Sequence, residues 1–431
     1  MNASGRRAAV IGLILLATLA LVVAVSLGGA RDQPPVVVSA TPTSTAASTS
    51  TSASATATPP ASIGSATTQP AASNDPSVAQ YLTPQVQRWQ PTGTTLVAVV
   101  HESTQRPGGG TQAGGLAFVA VPLDGSPTTR VLTAPLGNGF DISPSGALFV
   151  LAVQVNDSST RLALWDARSN VSTWLTPLEN GVILRGPTFS PDSTAVTFGK
   201  AKADGGPVSS GDLGLFRVRL SDRVVSQVRA AVTPPFFSSP IEHVSDGTLF
   251  WARVYEGGSL EVTLPSGAER SFGACANYQS WRQAAPRVLV VPGGCGTGFK
   301  GAELILWNDS SGEKRTIAGS ATELINAADW NPDGNAIVAV MSPASAASPA
   351  TLVTMDADGG QRKAIAGTEH ASRVLWLRAG ITYTYAQPDA SGFGTKPPYE
   401  VRMSPVAGGA QRTLLTSPDP IPWLRFVSGT P

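Results

Sequence analysis

Between Trp89 and Phe426 short apolar runs alternate with tight polar turns, and the alternation repeats over a long period. An apolar run ends in a turn at Asp124-Gly125, Arg168-Ser169-Asn170, Ser221-Asp222, Ser266-Gly267, Ser311-Gly312, Asp358-Gly359 and Gly408-Gly409. Measured between Gly125, Asn170, Asp222, Gly267, Gly312, Gly359 and Gly408, the steps are 45, 52, 45, 45, 47 and 49 residues. The runs are strand-like: Phe216, Val218 and Leu220 alternate with Arg217 and Arg219, the period of two of a half-buried sheet. Periods of about 40 to 50 residues built from short strands and turns indicate propeller blades. Seven markers predict an all-β, seven-bladed β-propeller over residues 81–431, with six or eight blades as the nearest alternatives.

A second repeated piece precedes the next strand of several units. It reads Asp141-Ile142-Ser143-Pro144-Ser145-Gly146, Thr188-Phe189-Ser190-Pro191-Asp192-Ser193 and Trp330-Asn331-Pro332-Asp333-Gly334, with a degenerate copy at Trp89-Gln90-Pro91-Thr92-Gly93. Proline presets φ for a tight turn, and Asp or Gly accommodates the reversal. The Phe/Trp-x-Pro-Asp-Gly turn before an apolar strand resembles the repeat of TolB-type and WD-repeat-like bacterial propellers. That resemblance implies binding or scaffolding in the cell envelope and carries over no catalytic residue. Ile421-Pro422-Trp423-Leu424-Arg425-Phe426 repeats the opening of the seventh unit, Val374-Leu375-Trp376-Leu377-Arg378, with no strands after it. Either this terminal segment or the stretch 85–89 supplies the innermost strand of the first blade.

The first eighty residues follow different physics. Residues 1–7 carry Arg6 and Arg7, and 8–30 form an uncharged apolar stretch long enough to span a bilayer. Arginines ahead of it predict a cytoplasmic tail (1–7), a signal-anchor helix (8–30) in the cytoplasmic membrane and an extracytoplasmic remainder. Gly28-Gly29-Ala30 leaves a cleaved signal peptide as the competing reading. Residues 33–74 hold no charged and no aromatic side chain, so the linker 31–80 cannot offset its ordering entropy and is expected to be an extended tether. A coil of that length averages about 40 Å between its ends.

Formal net charge is +1 and 14% of residues are charged, which disfavours a nucleic-acid role. Two cysteines, Cys275 and Cys295, stand twenty apart in what the period makes one blade. Outside the membrane such a pair reads as a disulfide, closing a loop worth about 3 kcal/mol. Two buried thiols or a metal site are the alternatives, the latter short of ligands.

Candidate chemistry is sparse. His101, His243 and His370 are more than a hundred residues apart and have no partner at metal-ligand spacing. No Gly-x-Ser-x-Gly elbow occurs. Gly296-Thr297-Gly298-Phe299-Lys300-Gly301 matches a dinucleotide fingerprint but precedes a strand rather than a helix. Asp356-Ala357-Asp358-Gly359-Gly360 begins like a calcium loop and lacks its twelfth-position Glu. Trp165, Trp251, Trp307, Trp330 and Trp376 recur at strand ends, as blade packing requires. No catalytic, cofactor or metal residues are assigned. The expected function is non-catalytic binding of an envelope protein, peptide or glycan, with a lactonase- or lyase-type enzyme at the tunnel mouth as the alternative. Long loops at 101–115, 200–211, 342–349 and 387–398 share one face and mark the expected working surface.

Overall fold

Antiparallel hairpins assemble into seven sheets, six of four strands and one of five. They are the seven blades of a β-propeller. The computed structural model describes residues 75–91, 94–105, 111–203, 211–233, 236–254, 258–292, 303–320, 322–344, 349–388, 395–407 and 409–428. All of these fall in one compact unit, Gln69–Pro431. The apolar run 8–30 and the linker up to 74 lie outside the described residues, among which no helix is long and apolar enough to cross a membrane.

Each repeated turn has a structural cause. The turns at Gly125, Asn170, Asp222, Gly267, Gly312, Gly359 and Gly409 join the third strand of a blade to the fourth. Gly359 shows why glycine is needed: φ is +83°, and a Cβ would sit 1.7 Å from the Ile317 carbonyl of the preceding blade. In the proline turns the residue before proline is the lock. Side-chain oxygens of Ser143, Ser190 and Asn331 each accept from the N–H five residues on, of Leu148, Ala195 and Ala336, all at 3.0 Å.

The first blade uses both ends of the folded unit. Trp423–Ser428 pairs antiparallel with Thr94–Gln105, in register from Val99↔Trp423 to Thr94↔Ser428, and so becomes that blade's innermost strand. Of the two segments proposed from sequence, the terminal one takes the place; Trp89 instead donates its N–H to the Ala167 carbonyl and packs on Phe149 of blade two. Thr83–Pro84 pairs with the outermost strand of blade one. Ring closure and this added strand cover edges that would otherwise invite foreign pairing. The folded unit also takes in 75–80: Asp75 caps a short helix, Pro76–Ala79, and Trp174 Nε1 donates to Ser77 Oγ at 2.9 Å.

Blade faces carry the core. Trp165, Trp251 and Trp307 are fully buried, and Trp330 and Trp376 nearly so, as blade packing requires. Cations lie over aromatic rings of adjacent blades: Arg229 over Trp251, Arg282 over Trp330 and Lys314 over Phe272. Arg287 joins buried Asp309 to Asp246 of the preceding blade.

Two sequence expectations need correction. Much of 101–115 is strand: Thr94–Gln105 and Thr111–Pro122 stay paired out to Gln105↔Thr111. Lys200, Ala201 and Lys202 likewise pair with Gly214, Asp212 and Gly211, and Gln387 and Pro388 with Lys396 and Thr395. Backbone pairing does not require the apolar alternation that marks a blade-packed strand, so a polar, Gly-rich hairpin tip reads as loop. The tips, 106–110, 204–210, 345–348 and 389–394, lie outside the described residues. Cys275, secondly, sits between blades rather than within one, directly between Glu269–Ala274, the last strand of blade four, and Ala276–Trp281, the first of blade five.

Candidate functional site in the central tunnel

The innermost strands, Phe140–Ile142, Val182–Phe189, Phe237–His243, Ala276–Trp281, Glu323–Trp330, Ala371–Leu377 and Trp423–Ser428, are the inner edges of the blades and surround the axis. An apolar or aromatic anchor, such as Ile142, Phe189, Trp330 or Phe426, faces the preceding blade near the proline turn. The residue just before it then points to the following blade and the lumen, because strand side chains alternate.

Register places these preceding residues at one level. They are Arg425, Asp141, Thr188, Glu242, Ser280 and Asp329, opposite Val97, Val150, Thr197, Phe250, Leu289 and Val338 of the second strands. Leu375 completes this lower ring. Two carboxylates latch neighbouring blades. Asp141 accepts from Phe189 N–H at 2.8 Å and Thr188 Oγ1 at 3.3 Å in blade three, and its Oδ1 lies 3.2 Å from Arg425 of the closing strand. Asp329 accepts from Trp376 N–H at 2.8 Å, its own neighbour Trp330 N–H at 2.9 Å, and Ser280 Oγ of blade five. Each latch satisfies an N–H on an edge strand that has no further strand to bond.

The ring is enclosed yet reached by water. Asp329 and Tyr278 are only half-buried by solvent contact, but both are surrounded by protein on all sides. The two observations agree for groups lining a narrow lumen. Desolvation pushes the Asp329 carboxyl up to about 6 against its three hydrogen bonds, and the Glu242 charge adds to the rise. Tyr278, packed against Phe250 with ring centroids 4.8 Å apart, is raised by desolvation and then by Glu242. For Arg425 burial works toward a lower pKa, but the charges of Asp141 and Glu242 outweigh it and the net direction is up.

Two ladder positions nearer the long-hairpin face lies an upper ring. Arg185, Ser239, Asn277, Ala327, Arg373 and Trp423 pair with Gly199, Ala252, Val291, Val340, Thr384 and Val99. Arg185 lies over the Phe237 ring at 4.1 Å. Arg373 is exposed to solvent, although the protein around it lowers its pKa by desolvation, as expected in a concave, water-filled space. The Asn277 Nδ2 is buried without a hydrogen-bond partner among the described residues.

Neither ring was identified from sequence. The lower one has a signal, a polar residue immediately before the anchor in six of the seven blades, Leu375 being the exception. The upper one has none at fixed spacing: a β-bulge puts Arg185 four residues before Phe189, whereas the register from Arg373 to Trp376 runs unbroken over three. The histidines stay apart: His101 donates its N–H to Pro420 O at 2.9 Å, His243 Nε2 lies 3.1 Å from Gly247 O, and His370 edges Tyr385. Among the described residues no His, Cys, Asp and Glu form a metal-holding group. Asp356 closes an Asx turn on Asp358 and Gly360 N–H. Cys275 is disulfide-bonded; Cys295 and the glycine-rich 296–301 lie outside the described residues.

No family model and no curated protein matches this chain. Solved structures do. A prolyl endopeptidase superposes with a TM-score of 0.51 at 13% identity, over 78% of this chain and 51% of its own. Puromycin hydrolase gives 0.50 at 18% identity, over 81% and 58%. TolB from Acinetobacter baumannii gives 0.39 at 15%, over 63% of each chain. The chain thus spans about half the length of that prolyl endopeptidase, and at these identities the likeness is one of fold alone.

Proposed function

We propose that this chain is a non-catalytic binding module, tethered to the cytoplasmic membrane by 8–30 and held outside the cytoplasm by the linker. Its partner is an envelope protein, peptide or glycan. The observation that carries the reading is the set of paired hairpins that prolong second and third strands on one face, foremost Thr94–Gln105 with Thr111–Pro122. Such hairpins add contact surface without burying blade core, and Glu102 on this one is tied to Arg130 of the fourth strand of blade one by an ion pair at 2.6 Å. The opposite face carries only short turns locked by their own hydrogen bonds.

The test is capture from envelope extract by the full chain and by a variant in which 103–113 is replaced by Asn-Gly. The variant should melt like the parent and lose the captured partner. Undiminished capture by the shortened hairpin would refute the assignment of the surface.

A further inference from the structure

We propose that the tunnel is a binding site for a small zwitterionic ligand of dipeptide length, its carboxylate held at the upper ring and its ammonium at the lower ring. The site is separate from the long-hairpin surface, and either can fail without the other.

Charge distribution sets the polarity. The lower ring holds three carboxylates, Asp141, Glu242 and Asp329, against the single cation Arg425, leaving two negative charges in excess. The upper ring holds Arg185 and Arg373 and no carboxylate. Among the described residues the Arg373 guanidinium has no ion pair, and only its backbone N–H is bonded, to Thr384 Oγ1 at 3.1 Å. Arg373 is exposed to solvent and lacks a countercharge among the described residues, so its guanidinium is open to an arriving anion. A guanidinium fork suits a carboxylate.

Spacing sets the length. The rings are two ladder positions apart on the second strands, about 7 Å. An extended dipeptide spans the same distance between its termini, at about 3.5 Å per residue. Side chains at both levels point the same way, toward the following blade and the lumen. Between the rings Ile241 is 39% exposed on an innermost strand, an apolar contact for the ligand's body. Entry from the long-hairpin face meets the arginines first, so the carboxylate stays at the mouth and the ammonium goes deeper, toward Glu242 and Tyr278.

Isothermal titration of the full chain in detergent tests this with alanylalanine, N-acetyl-alanylalanine and alanylalaninamide. Alanylalanine should bind saturably, and capping either end should weaken it by about tenfold or more, the cost of one charge-assisted contact. Arg373→Gln should weaken alanylalanine by a similar factor and leave the amide's affinity unchanged. Glu242→Gln should do the converse, sparing the N-acetyl form. Absence of saturable binding at 10 mM, on the order of the weakest affinity expected for a ligand this small, would overturn the proposal. So would equal binding of capped and free dipeptides, or wild-type affinity in Arg373→Gln, whose exposed side chain no described partner needs for folding.

Discussion

Removing Asp141 should loosen the ring where it closes. The carboxylate is 4% exposed and holds together three blades: its own, blade three through Phe189 N–H, and blade one through Arg425 of the terminal strand. Asp141→Ala leaves the Phe189 N–H without its charged acceptor, worth about 1 to 3 kcal/mol. It also strips the countercharge from Arg425; breaking a buried pair costs about 3 to 5 kcal/mol. The two losses share one side chain and do not add. The Arg425 side chain keeps 25% of its exposure and some solvation with it. The expected loss is therefore about 3 kcal/mol, read as a shift of the urea midpoint at unchanged slope. Arg425→Met, which removes the charge and keeps the bulk, should cost less. The double variant Asp141→Ala/Arg425→Met should recover about 1 to 2 kcal/mol of the summed losses, since no charge is then left unpaired. A loss below about 1 kcal/mol in Asp141→Ala, or additivity within about 0.5 kcal/mol, would refute the latch.

Sequence disclosed the blades because each needs the same local device. A third-to-fourth-strand turn with positive φ holds Gly or Asn in six blades and Arg223 in blade three, and a proline turn selects a Ser or Asn that bonds five residues ahead. Those demands are local, so they appear as a period. Closure was legible only in part: the likeness of Trp423-Leu424-Arg425-Phe426 to a unit opening identified a spare strand, but its partner Thr94–Gln105 lies at the far end of the domain, and pairing across that separation leaves no local mark. The lower ring was present in the text as Asp141-Ile142 and Asp329-Trp330. Its meaning appeared only when register set those residues level with Glu242 and Arg425 of blades whose turns had drifted from the motif. For the upper ring, a bulge separates Arg185 from Phe189 and none separates Arg373 from Trp376, so the two arginines share a level in space and no spacing in sequence.

Three further outcomes are expected. Asp329 has a folded-state pKa of about 6 against 3.8 unfolded, so the native state binds the extra proton between those values. The Asp329 contribution to stability should therefore rise as pH falls from 7 toward 4, by on the order of 2 kcal/mol, so the pH dependence of wild type minus Asp329→Asn should slope by that amount; identical slopes for the two in urea titrations across this range would contradict it. Ending the chain after Pro422 strips the innermost strand from blade one and should abolish cooperative unfolding, whereas an unaltered melt would show the ring closed by other means. Mass spectrometry of the unreduced protein should find Cys275 joined to Cys295, and Cys275→Ser should cost about 2 to 4 kcal/mol; alkylation of both thiols without reductant would exclude the pairing.

The central claim, that a tethered propeller grips its partner with the long-hairpin face, is tested most directly by site-specific photocrosslinking in intact cells. A photoreactive residue at Glu102, on the extended hairpin, should yield a discrete crosslinked partner, and one at Asp333, in a proline turn on the opposite face, should yield none. Crosslinking from Asp333 with none from Glu102 would contradict the account.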